Sequence, residues 1–377
     1  MVKRMNSGIG RCSHAALIKA EAGTKVLGVT VYHADLREAR ADPALAALLG
    51  RSSASAPFDR LDWLVLLAEH CFPGATCKLA VARDGDALAV LPFRTGPEGA
   101  ASLGTWYSFF VRPLVSDPAR APALLTAIAR SLAPSGAARL SPLPEAEALA
   151  LAQAFRMAGW IGLAEPCDTN HILKLQGRSF AEYWSARPGA LRETVRRKSA
   201  RGTAALRIET AFCDADWAAY EAIYAKSWKP EEGNPAFLRA FAQAESAAGA
   251  LRMGVAEIDG EPVAAQFWTV EGGTAWIHKL AHDEAHRAHS PGTLLTAALL
   301  AHVIDTDRVH TVDFGTGNDG YKRDWMESQR PRYALQFYRP AAARHWPALA
   351  RLAASAAKRR MLVARPRDVL VSPQAAG

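Results

Sequence analysis

The chain has 377 residues, of which 50% are apolar and 22% charged, and a formal net charge of +8. This profile excludes an intrinsically disordered chain, and no apolar run is long enough to span a bilayer. The positive balance favours an anionic partner such as CoA, a nucleotide sugar, tRNA or a membrane surface; nothing beyond net charge speaks for DNA, which is not expected as a partner. The five cysteines (Cys12, Cys71, Cys77, Cys167 and Cys213) are scattered and lack zinc-ligand spacing. Reduced thiols, a cytoplasmic location and no metal site are therefore expected.

Residues 1–24 read as a loose basic tail without the apolar segment of a signal peptide. The unit at 25–176 begins with a strand over Val26–His33 and helical composition over Asp35–Leu49, divided by Pro43. A helix follows Pro57, with Trp63, Leu66, Leu67 and His70 on one face. Asp84-Gly85 between Cys77–Arg83 and Ala87–Phe93 marks a hairpin, and a further strand is expected over Ser102–Val111. Helices over Pro118–Leu132 and Glu145–Ala158 alternate with extended Ala137–Leu143 and Thr169–Leu175.

The junction at 177–203 is basic and helical, and its Arg196, Arg197 and Lys198 are candidates to receive an anionic acceptor. The unit at 204–340 repeats the earlier order: a hairpin turn at Asp259-Gly260, a strand over Thr274–Ala281, a helix from Pro291, a strand into Phe314, a short helix at Tyr321 and a strand to Tyr338. The Asp-Gly turns and the following proline-led helices recur at nearly the same spacing, which implies two copies of one unit. A helical extension occupies 341–377; Trp346, Leu349, Leu352 and Ala353 form an apolar stripe, expected to pack on the second unit, and Lys358–Arg360 leaves peripheral membrane contact open.

The copies differ at the helix start. The second has Ser290-Pro291-Gly292-Thr293-Leu294, a proline suited to a first turn, a side-chain-free glycine and two hydroxyls. Unpaired amides and the positive end of the helix dipole suit such a turn to phosphate. The first copy has Ser116-Asp117-Pro118-Ala119-Arg120, with no glycine and an acid where phosphate would lie, so it is expected to bind no cofactor.

Arg287-x-x-Ser290-x-Gly292 is similar to the acyl-CoA loop of the Gcn5-related N-acetyltransferase (GNAT) superfamily, with serine in place of its first glycine. Together with Asp313-Phe-Gly315-x-Gly317-x-Asp319-x-Tyr321-Lys322-x-x-Trp325, it resembles the CelD-like branch, related to Fem-type aminoacyltransferases. The resemblance implies an α/β (α+β) fold of tandem GNAT-like units, each a mixed, mostly antiparallel sheet flanked by helices, the first degenerate and the second catalytic. It implies acetyl-CoA or another acyl-CoA as co-substrate, with Arg287, Ser290, Pro291, Gly292, Thr293 and Leu294 holding the pyrophosphate.

Tyr321 is the candidate acid for the departing thiolate, and Lys322 neutralises phosphate or orients the acceptor. His278 and Glu257, each on a strand near the groove, are the candidate bases. Strict alternation groups Trp276, His278 and Leu280 on one face and Ile277 and Lys279 on the other, without saying which faces the cleft. Trp228, Gln266, Asp313 and Asp319 are pocket candidates by position, Asp319 also as a cap for the short helix. The expected activity is acyl transfer to an amine of an amino sugar, amino acid or cell-envelope precursor; members of the CelD-like branch are often linked to exopolysaccharide. The alternatives are Fem-type transfer from aminoacyl-tRNA, disfavoured by the lack of a long charged heptad segment, and a catalytically silent binding module. The oligomeric state is left open.

Overall fold

The computed structural model describes residues 24–26, 28–351 and 354. The basic tail with Cys12, and Leu352, Ala353 and Lys358–Arg360 of the extension, lie outside the described residues. The first half contains β1 (Thr24–Val26), β2 (Val29–Asp35), α1 (Pro43–Leu48), α2 (Leu61–Cys71), β3 (Thr76–Asp84), β4 (Ala87–Gly96), β5 (Gly99–Ser102), β6 (Leu114–Val115), α3 (Ala121–Ser131), β7 (Ala137–Leu143), α4 (Glu145–Met157) and β8 (Ile161–Lys174). The junction forms α5 (Phe180–Ser185), opened by a Ser179–Glu182 capping box, and α6 (Gly189–Ala200). The second half contains β9 (Ala205–Glu209), α7 (Asp214–Ala225), α8 (Pro235–Ala247), β10 (Leu251–Ile258), β11 (Glu261–Glu271), β12 (Thr274–His282), α9 (Pro291–Ala301), β13 (Thr311–Thr316), α10 (Lys322–Trp325) and β14 (Ser328–Tyr338).

One mixed sheet runs through both halves in the order β1-β2-β3-β4-β5-β7-β14-β8-β13-β12-β11-β10-β9, with β6 on β4. The parallel pairs are β5 with β7 and β12 with β13, and the hairpins β3–β4 and β10–β11 flank the Asp-Gly turns. Asp259 (φ 51°) and Gly260 (φ 81°) are both left-handed, as a two-residue hairpin requires. The closing strands are exchanged: β14 pairs with β7 of the first half, and β8 pairs with β13 of the second. Because β14 ends beside β7, it delivers the extension to the first half, where Arg344 donates to the Ser135 carbonyl at 3.1 Å. The expected packing of Trp346 on the second unit is not found; the ring is 62% exposed.

A core shared by both halves fills one side of the sheet. Trp63 of α2 meets Phe237 and Phe241 of α8 edge-on at 5.1 and 4.7 Å. Each such buried ring contributes on the order of 2–3 kcal/mol. The strand expected over Ser102–Val111 stops at Ser102, because Tyr107, Phe109 and Phe110 leave the sheet to join this core. A buried ionic group crosses the same boundary. Arg60 and Arg51 donate to Glu245 at 2.5 and 2.7 Å, and Glu271 lies 3.5 Å from both arginines.

Candidate functional site

Strands β12 and β13 pair only where Thr274–Trp276 meets Thr311–Asp313. Beyond that, β12 runs on to His282 and β13 to Thr316 without pairing, so the sheet opens as a wedge. Helix α9 starts at the open end. Ser290 adopts a left-handed backbone (φ 55°, ψ 42°) and its side chain caps nothing. Glycine reaches this conformation freely, which accounts for the glycine of the family pattern. The Ser290 amide is taken by the Arg287 carbonyl and that of Leu294 by the Ser290 carbonyl. Pro291 has no N–H, so the amides left to a ligand are those of Gly292 and Thr293. A Cβ added at Gly292 would come 3.4 Å from His282 Nδ1, so the glycine keeps the approach open.

The turn is held from below and from the side. Gln266 Nε2 donates to the Gly292 carbonyl (3.0 Å) and to Thr296 Oγ1 (2.8 Å), and Lys198 of α6 donates to the Ala288 carbonyl (2.5 Å). Above it opens a cavity of about 710 Å³, lined by Leu191, Trp228, Leu280, His282, Ser290–Thr293, Thr296, Asp319–Tyr321 and Trp325. Arg287 also lines it, 79% exposed and with its nearest acid, Glu284, at 4.0 Å.

The equivalent place in the first half is closed. The short β5–β7 pairing is followed by a side-chain stitch: Ser102 Oγ accepts from the Ser141 amide (3.1 Å) and donates to its carbonyl (2.8 Å). At the helix start, Asp117 Oδ1 accepts from the Ala119 amide at 3.0 Å. That carboxylate occupies the place an incoming phosphate would need.

The family model described as an acetyltransferase (GNAT) domain matches residues 189–323, the stretch that holds this turn, wedge and cavity. The chain carries a GNAT domain of the CelD-like family. Among solved structures, FemX has a TM-score of 0.52 at 9% identity, over 73% of this chain and 94% of that one, which establishes a similar fold. A tandem GNAT protein from the clavulanic acid biosynthesis pathway gives 0.49 at 16% identity, over 81% and 98% of the two chains. L-PGS from Bacillus licheniformis gives 0.47 at 13% identity, over 72% and 86%. No curated protein matches.

Within the GNAT domain, Tyr321 lies on the cavity wall with its ring edge-on to Phe314 at 5.8 Å. Burial, then the charge of Asp319, pushes its pKa up, so the phenol stays protonated at neutral pH. The Trp228 ring lies tilted against His282 with centroids 4.6 Å apart, and His282 is a residue absent from the sequence-derived set. His282 Nε2 lies 3.2 Å from Glu284, and burial pushes the pKa of the ring down. The neutral ring has a single N–H, which the Glu284 carboxylate takes at Nε2, so Nδ1 faces Gly292 as an acceptor.

A β-bulge turns His278 away from the cavity, and His282 lies one residue past the strand expected over Thr274–Ala281. Phe267 pairs with Lys279 and Trp268 with Ile277, leaving His278 without a partner. Both His278 and Lys279 thus turn to the side of Trp276, while Leu280 and His282 face the cavity. His278 is ringed by Phe58, Phe109, Phe241 and Phe267, with Nε2 2.8 Å from Thr269 Oγ1. Loss of water pushes its pKa down to about 3, too weak a base at neutral pH. Glu257 is also corrected: it pairs with Arg207 at 3.1 Å and lines a separate cavity with His286 and His289.

Other assignments become structural ones. Lys322 is buried and donates to the Thr316 carbonyl (2.5 Å), holding the loop before Tyr321 rather than reaching ligand. Asp313 is fully buried and accepts from Asn170, Gly315 and Arg330, locking β13 to β8 and β14. Gln266 is buried beneath the turn, not in the pocket, and Leu294 has its amide spent within the helix. Asp319 lines the cavity but its side chain does not cap α10. Arg196 and Arg197 are exposed, Arg196 pairing with Glu193, and neither lines the cavity; Leu191 and Lys198 are the α6 residues that meet it or its turn.

Among the described residues no helix is long and apolar enough to cross a membrane, and the cysteines are free thiols.

Proposed function

We propose that this protein moves an acetyl or other acyl group from acyl-CoA to a primary amine of an amino sugar, amino acid or cell-envelope precursor, an exopolysaccharide unit included, in the cytoplasm. The observation that carries the reading is the uncapped, side-chain-free turn at Ser290–Thr293, open to a cavity where two parallel strands part. The Gly292 and Thr293 amides and the helix dipole hold the pyrophosphate, with Arg287 adding charge. Pantetheine runs along β12 past Leu280, and the thioester lies near Tyr321. Attack by the amine on the thioester carbonyl forms the C–N bond and breaks C–S. The Tyr321 hydroxyl gives its proton to the departing sulfur, and the phenolate regains one from the nitrogen, now amide, so the proton count closes. Holding both reactants in this geometry supplies much of the rate.

The test is calorimetry with acetyl-CoA and CoA on the wild type and Gly292→Arg, with thioester consumption followed against a panel of amines. The wild type binds and turns over; the variant keeps its circular dichroism and loses donor binding. Equal affinity in both removes Gly292 from the site, and no binding to the wild type shifts the donor towards aminoacyl-tRNA.

A further inference from the structure

A second cavity of about 590 Å³ is walled by Tyr220, Tyr224 and Leu238 and lined also by Lys229, Glu221, Glu231 and Glu232. Consecutive residues of β12 divide the two spaces: Leu280 faces the donor cavity, and Lys279 turns the other way. Lys279 is neutralised by Glu232 at 2.7 Å, and Glu232 also accepts from the Tyr107 hydroxyl at 2.7 Å. Asn234 donates its amide to the same hydroxyl, so the loop between α7 and α8 is tied to the first half.

Lys229 lies on that loop but is not neutralised. Among the described residues no carboxylate lies within ion-pair distance of it, and its ammonium faces the rings of Trp228 (5.6 Å) and Tyr224 (5.9 Å). Of the other carboxylates lining this space, Glu232 is engaged by Lys279 and Glu221 by the Trp217 indole N–H at 2.9 Å, while Glu231 is exposed to solvent. A partly desolvated cation without a counter-ion is unfavourable to the fold, and an arriving anion offsets that cost. Consistently, burial and then the charges of Lys279 and Lys322 push the pKa of Lys229 down to about 8, against the smaller opposing effects of Glu232 and Asp319.

We propose that this second cavity receives the body of the acceptor and that Lys229 binds an anionic group on it, a carboxylate or a phosphate monoester, while the acceptor amine reaches past Trp228 to the thioester. The aromatic walls suit a ring or an apolar side chain. The inference rests on the acyl-transfer reading and narrows its acceptors to amines that also carry an acid.

The test uses product-like pairs that bind without turnover: N-acetylphenylalanine against N-acetylphenethylamine, and N-acetylglucosamine 6-phosphate against N-acetylglucosamine. Each is titrated by calorimetry at pH 7 into the wild type, Lys229→Gln and Lys229→Arg, and acetyl-CoA is titrated into the same three proteins. The expected result is an anionic member bound at least about tenfold more tightly than its neutral partner, as a charge-assisted hydrogen bond provides. The preference is lost in Lys229→Gln and kept in Lys229→Arg, with acetyl-CoA affinity alike in all three. The pair that discriminates identifies the anion as carboxylate or phosphate. No preference in the wild type, or a preference that survives in Lys229→Gln, overturns the proposal. A Lys229-dependent preference in a protein that fails to bind acetyl-CoA supports the anion site and refutes the donor reading.

Discussion

Gln266→Leu separates a residue that positions the Ser290–Thr293 turn from one that merely fills space. The side chains are similar in volume, so packing is nearly conserved and the loss falls on hydrogen bonds. Gln266 Nε2 holds the Gly292 carbonyl and Thr296 Oγ1, while its Oε1 accepts from Trp268 Nε1 at 3.0 Å. The Gly292 carbonyl keeps a second donor, Thr296 Oγ1 at 2.9 Å, so it is not orphaned. The Trp268 indole N–H is orphaned in a fully buried site. Leaving it unpaired costs about 1–3 kcal/mol and the lost amide bonds about 1 more, for a destabilisation of roughly 2–4 kcal/mol. Guanidinium unfolding reads that loss, and calorimetry reads a weakening of acetyl-CoA binding of about tenfold as the turn loosens. Adding Trp268→Phe removes the orphaned donor and restores about 1–2 kcal/mol of stability, but not the donor affinity. Unchanged acetyl-CoA affinity in a destabilised Gln266→Leu protein would refute the positioning role.

Tyr321→Phe is expected to lower kcat about a hundredfold with acetyl-CoA affinity unchanged, the loss typical of a removed general acid; a kcat within twofold of wild type sinks the assignment. Ser290→Gly relieves a left-handed non-glycine backbone and should raise unfolding stability by about 1 kcal/mol with donor binding intact. Glu271 has both carboxylate oxygens buried without a hydrogen-bond partner, and burial above all pushes its pKa up to about 7. Its folded pKa exceeds the unfolded value of about 4.3, so the native state binds the extra proton between the two. Stability is thus fully present below about pH 4 and is lost as pH rises through about 7, a swing on the order of 3 kcal/mol. Urea unfolding from pH 5 to 8 should show this slope in the wild type and a flatter one in Glu271→Gln; identical slopes would reject it.

The local chemistry of the chain is legible where short-range rules govern. Asp259-Gly260 fixes a hairpin because two left-handed residues are needed there, and Asp84-Gly85 fixes one through the left-handed Gly85 (φ 60°). Ser290-Pro-Gly-Thr fixes an open helix start because proline removes one donor and glycine removes a side chain. The difference between the two halves at Asp117 is equally local, a carboxylate two residues from the amide it caps. What each end of a strand faces is another matter. Period-two alternation from Trp276 to Leu280 fails at one bulged residue, so His278, grouped with Leu280 by alternation, turns to the opposite side from it. The bulge depends on the register that β11 imposes on β12, which no window of β12 contains. The exchange of β8 and β14, the docking of Phe109 and Phe110 on Trp276 and the Arg60–Glu245 pair likewise join residues far apart in sequence. Their energies come from burial and from partners that exist only once both halves are folded. So the sequence by itself determined the turns and the open helix start at Pro291, while tertiary packing alone decided which side chains meet in the cavity.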